Sequence, residues 1–144
     1  MIKQIFVNLP VKDLQKTKEF WEALGFTFNP QFTDETAASL VLGENIYAML
    51  LTEDSMKRFT KKQIADANQV TEVINAVSVE SRAKVDEIVS AAITAGARPS
   101  GDPTDYGWMY TKSFEDLDGH QWEILYIDET AVPENPSESV DKNK

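Results

Sequence analysis

A chain of 144 residues with 42% apolar content, three Trp, four Tyr and seven Phe is long and apolar enough to bury the core of one domain. Its formal charge of −10 argues against a nucleic-acid groove, which needs clustered Lys and Arg, and against an anionic membrane surface. Without cysteine there is no disulfide and no thiolate metal site, which fits a reducing cytoplasm; no apolar run is long enough to span a bilayer, and the N-terminus lacks a secretion-signal layout.

Taken in chain order, "IKQIFVNLP" (2–10) is rich in β-branched and aromatic residues and predicts a strand that Pro10 should end. Asp13 is a suitable N-cap for the helix "LQKTKEFWEALG". Leu14, Thr17, Phe20, Trp21 and Leu24 fall on one face of it, and Gly25 stands where a helix ends. Three short strands follow, "FTFN", "AASLVL" and "IYAMLLT", with a turn at Gly43–Asn45 between the last two. Residues 54–68 then predict a polar linker helix with Met56, Phe59 and Ile64 as its apolar contacts.

The plan then repeats. "TEVINAVSV" (71–79) predicts a strand, and Ser81 caps the helix "RAKVDEIVSAAITAG", closed by Gly96. "GWMYTKSFED" and "HQWEILYID" predict two strands joined at Leu117-Asp118-Gly119. Residues 129–144 are polar and carry two prolines, so a flexible C-terminal tail is expected. Strand, helix and further strands therefore occur twice, in modules at about 1–53 and 71–128, a duplication that governs the fold. One such module covers only one face of its sheet.

"FVNLPVKDLQKTKEFWEALGF" together with "SFEDLDGHQWEIL" resembles the vicinal-oxygen-chelate superfamily, which includes glyoxalase I, extradiol dioxygenases, fosfomycin-resistance enzymes and bleomycin-binding proteins. "DYGWMYTKSFEDLDGHQWEI" is similar to a bacterial group named predicted lactoylglutathione lyase. The resemblance covers about residues 3–128. It implies an α+β fold of two βαβββ modules with a cupped mixed sheet, in one glyoxalase-like domain over residues 1–128, and a homodimer. It also implies a metal held by inward-facing residues on the first and last strands of each module. Those positions fall on Phe6, Met49, Ile74 and Glu123, and only Glu123 offers a donor oxygen. No metal and no other cofactor is therefore expected.

The lone histidine, His120, lies three residues before Glu123, so strand alternation sends the two to opposite faces. It is expected to be a turn residue. Glu123 has two readings: a general base with a raised pKa, or a structural carboxylate that pairs with Lys112 or bonds backbone groups. Phe6 and Asn8 share parity on the first strand, and Asn8 could orient a polar ligand or bond its neighbours. Tyr106, Trp108, Tyr110 and Phe114 share parity with Lys112. If that face is the ligand face, it offers aromatic walls and a cation; if it faces the helix, these are core residues. The expected burial cost of Lys112 against a helix favours the first.

The expected ligand-binding set is thus Phe6, Asn8, Met49, Ile74, Tyr110 and Lys112, with Glu123 as the catalytic candidate. The expected function is binding of a small organic molecule without the usual metal, in resistance or detoxification. A glyoxalase-like lyase or isomerase, or an extradiol-type dioxygenase, with a divergent site is the alternative; a partner-binding module using the linker helix is a third.

Overall fold

The first strand begins and ends later than its sequence suggests. The computed structural model describes residues 1–137, and in it β1 spans Ile5–Val11, passing through Pro10. The reason lies in its position. The sheet order is β1-β4-β3-β2, so β1 is the edge strand of its sheet, where a residue without an N–H is tolerated.

Asp13 caps α1 (Leu14–Ala23) by accepting from the Lys16 N–H, and Gly25 closes it with a φ of 95°. After it come β2 (Thr27–Asn29), β3 (Ala37–Gly43) and β4 (Ile46–Thr52). β1 pairs with β4 in parallel, while β2, β3 and β4 pair antiparallel. Alternation divides this sheet in two. Ala38 and Leu40 of β3 lie opposite Leu50 and Ala48 of β4, and all four are buried, as are Phe20 and Trp21 of α1, which packs on those strands. The other parity, with Phe6, Asn8, Tyr47 and Met49, looks away from this core.

The expected linker helix is a single turn, α2 (Glu53–Met56). Thr52 caps it, but the Arg58 and Phe59 N–H groups reach back only three residues, to Ser55 and Met56. Phe59 is 70% exposed, so no apolar stripe holds a longer helix against the sheet. Residues 57–73 contain no further helix or strand.

The chain divides into two compact units at Val70/Thr71. The second holds β5 (Ile74–Ser78), α3 (Arg82–Thr94), β6 (Arg98–Pro99), β7 (Thr104–Asp105), β8 (Met109–Glu115) and β9 (Gln121–Ile127). Its sheet order is β5-β9-β8-β6, with β7 also on β8. β5 lies parallel to β9, as β1 does to β4. Two short strands occupy the place of β2, separated by a turn through Gly101 with φ 81°. Val85, Ile88 and Ala92 of α3 and Phe114, Trp122 and Ile124 of the sheet are buried.

Among the described residues no helix is long and apolar enough to cross a membrane. Of the expected flexible tail, residues 129–137 are mostly exposed and 138–144 lie outside the described residues.

Candidate functional site

In the first unit, the parallel β1/β4 register sets Phe6 opposite Tyr47 and Asn8 opposite Met49. All four stand on the face that α1 leaves uncovered. Phe6 and Tyr47 stack with centroids 4.9 Å apart and planes 10° from parallel, and Phe6 remains 47% exposed. Asn8 Nδ2 donates to the Phe6 carbonyl at 3.5 Å, the limit of a useful hydrogen bond. Three expected residues of the ligand set thus share a surface. Tyr47 completes it and escaped the sequence reading, although it has the same parity as Met49 two residues on.

In the second unit, Ile74 pairs with Gln121, Ala76 with Glu123 and Ser78 with Leu125. Ser113 lies across from Glu123 on β8. These residues share the face that α3 does not cover, so Ile74 and Glu123 are on one surface, and Ile74 is 52% exposed. Gln121 is held at both ends of its amide, accepting from Thr71 Oγ1 at 3.1 Å and donating to Ser100 Oγ at 3.4 Å. Half-buried Glu123 has no hydrogen-bond or ion-pair partner for its carboxylate among the described residues.

Tyr110 and Lys112 are not on that surface. Lys112 lies opposite Ile124 and Tyr110 opposite Tyr126, the parity that looks to α3. The expected cost of a lysine against a helix is offset by Asp86 of α3, whose Oδ1 lies 2.8 Å from Lys112 Nζ and accepts from Tyr110 Oη at 2.6 Å. The Lys112 hydrogen bond, and then that of Tyr110, holds the Asp86 carboxyl below the usual range, while Asp86 raises both partners. The Arg82 guanidinium lies 5.0 Å from the Tyr110 ring centroid and forks onto Asp105 with two bonds of 2.8 Å. Asp105 is lowered to about 2 by that fork, helped by the Gly107 N–H. The aromatic, cationic row of β8 therefore ties the helix to the sheet, and the expected pairing of Lys112 with Glu123 does not form.

His120 is a turn residue, as its position predicts. Its N–H donates to Asp116 Oδ1 at 3.0 Å and its carbonyl accepts from the Asp116 N–H at 2.9 Å. Asp116 Oδ1 also accepts from the Asp118 N–H, and Oδ2 from Trp122 Nε1, both at 3.0 Å. Burial raises the Asp116 carboxyl, against the lowering effects of His120 and Trp122. This buried aspartate, missed in the sequence, holds the hairpin that delivers Glu123 on β9.

The donor set does not fit the metal that the resemblance implies. Phe6, Met49 and Ile74 offer no oxygen or nitrogen ligand, and no group of three His, Cys, Asp or Glu gathers among the described residues.

The family model for the glyoxalase/bleomycin resistance protein/dioxygenase superfamily matches residues 3–124. The chain belongs to that superfamily. Among solved structures, it is similar to a hypothetical protein from S. aureus, with 29% identity over 88% of this chain and 95% of that one, at a TM-score of 0.73. A glyoxalase-related enzyme from Fulvimarina pelagi matches at 17% identity over 87% and 88%, TM-score 0.72. A genomically encoded fosfomycin resistance protein from Listeria monocytogenes matches at 20% identity over 88% and 94%, TM-score 0.62. At these last two identities the likeness is one of fold. No curated protein matched the chain.

Proposed function

We propose that this protein binds a small organic molecule on a sheet face that its helix leaves uncovered, without the metal chemistry of its superfamily. The observation that carries this is Glu123. A half-buried carboxylate with no partner among the described residues is open to a hydrogen-bond or charge partner that the chain does not provide. The nearest lysine in sequence, Lys112, is engaged by Asp86 on the opposite face. A ligand bearing a cationic or hydrogen-bond-donating group would supply what Glu123 lacks. Ile74 supplies an apolar contact on the same face of the second unit, and Phe6, Asn8 and Met49 share a surface of the first. Sequestration or detoxification in the cytoplasm, by a homodimer, goes with this reading, and a fosfomycin resistance protein shares the fold.

An enzymatic role is the second reading, and the same observation favours it. A carboxylate committed to no partner is free to take a proton from a bound substrate. The reaction would be a lyase, isomerase or dioxygenase conversion at a divergent site.

A thermal-shift screen of small organic amines, neutral hydrogen-bond donors and carboxylic acids tests the proposal. Amines or donors should raise the melting temperature of the wild type and of Lys112→Met, but not of Glu123→Gln. Hits that stabilise Glu123→Gln as well as the wild type would refute the assignment.

A further inference from the structure

The uncovered face of the first unit differs from the rest of the molecule in charge. Charged residues make up 26% of the chain. None occurs at the parity of β1 to β4 that looks away from α1, where Phe6, Tyr47 and Val41 form one row and Asn8, Met49 and the buried Ser39 the next. A cation or anion bound on this face would find no counter-charge among these strand residues, so the moiety held there is neutral.

Its shape follows from the aromatic pair. One side of the Phe6 ring lies against Tyr47 at 4.9 Å, so the exposed 47% of Phe6 lies on its other side and rim. β1 is the edge strand of its sheet, and no further strand of that sheet continues the stack. A flat π-system extends an offset stack with little loss of conformational freedom, because such a guest is already rigid. Asn8 stands two residues along the same strand on the same face, roughly 6.5 Å further on. Its amide can donate at Nδ2 and accept at Oδ1, and its bond to the Phe6 carbonyl is long enough at 3.5 Å to be exchanged.

We propose that Phe6 and Tyr47 form a stacking platform for a flat, uncharged heteroaromatic ring, whose adjacent N–H and C=O edge is read by the Asn8 amide. This rests on the small-molecule reading above and adds a platform that belongs to the first unit by itself.

Lumichrome, a neutral, planar, fluorescent ring system with an imide edge, is the probe. Barbital carries the same edge without the fused aromatic surface. Fluorescence titration should show saturable binding of lumichrome to the wild type, and barbital should not compete at equal concentration. Phe6→Leu and Tyr47→Leu keep apolar bulk but lose the π-face and should each weaken binding by about tenfold, the size expected for a lost stacking partner. Asn8→Ala should weaken it by about fivefold, as for one lost hydrogen bond. Circular dichroism and melting curves check that each variant is folded. Absence of saturable binding, equal affinity in Phe6→Leu, or full competition by barbital would each overturn the platform. So would a change in sedimentation of Phe6→Leu from dimer to monomer with lumichrome binding intact, which would give the surface to a second copy. Screening hits that depend on Glu123 while lumichrome ignores Phe6 would remove only this inference; hits indifferent to Glu123 remove the reading beneath it.

Discussion

Lys112 shows how a single residue's role turns on its partner. Read in sequence, it is a cation among aromatic side chains and a natural ligand contact. In the fold it is 2.8 Å from Asp86 and within 5.9 Å of the Tyr110 ring centroid. Asp86 is about half exposed, so solvent screening keeps the pair modest. Lys112→Met should therefore cost at most about 1 kcal/mol in a urea melt and leave ligand binding unchanged. Loss of binding in that variant would return Lys112 to the site. Asp116 is the opposite case, a buried carboxylate accepting three N–H bonds. Asp116→Ala removes the acceptor those donors share and should destabilise by about 2–4 kcal/mol. Asp116→Asn should recover only part of this, because one end of the amide would present N–H groups to N–H groups. A melting temperature unchanged in Asp116→Ala would show that the hairpin does not depend on it. His120 gave no hint of this arrangement, whereas "EDLDGH" did contain it: an aspartate two residues before an Asp-Gly turn can accept from the turn's amides.

At the scale of elements, the start of α3 is fastened to β7 by the Arg82–Asp105 fork and to β8 by Asp86. Both carboxylates have folded-state pKa values below their ordinary range, and Asp105 lies at about 2 against 3.8. A group depressed in this way contributes stability above its unfolded value and loses it as pH falls through the folded one. These attachments should therefore weaken as pH drops from about 4 towards 2. Raised Asp116 has the opposite sign, gaining as it takes up its proton. Urea midpoints of Asp105→Asn between pH 6 and pH 3 should fall less steeply than those of the wild type. Parallel curves would mean that the fork contributes nothing to folding. The strands themselves were legible, because alternating and β-branched runs declare them. The linker was not: residues 54–68 read as a helix, but only Glu53–Met56 form one. Helical propensity without a buried stripe does not sustain a helix of that length.

For the molecule as a whole, superfamily membership does not supply the chemistry. The enediolate route of a lactoylglutathione lyase needs a metal to polarise two substrate oxygens, a contribution of several kcal/mol that Phe6, Met49 and Ile74 have no donor to support. Purified protein given methylglyoxal, glutathione and added Zn or Ni should form S-lactoylglutathione no faster than buffer; clear metal-dependent turnover would contradict this. Removing residues 129–144 should shift the melting temperature by less than about 5 °C, since residues 129–137 are mostly exposed. The sequence by itself determined the repeated strand–helix–strand plan, the caps at Asp13 and Ser81, and the parity that puts Phe6 with Asn8 and Gln121 with Glu123. Each depends on neighbours within a few residues, where local geometry leaves few choices. Only the tertiary structure decided that Tyr110 and Lys112 look to α3 rather than to the face of Glu123. Alternation says which residues travel together but not which way they point. That choice was made by the burial of Phe114, Trp122 and Ile124 on the α3 side, and Asp86, 26 residues before Lys112, offsets the burial of the cation that travels with them.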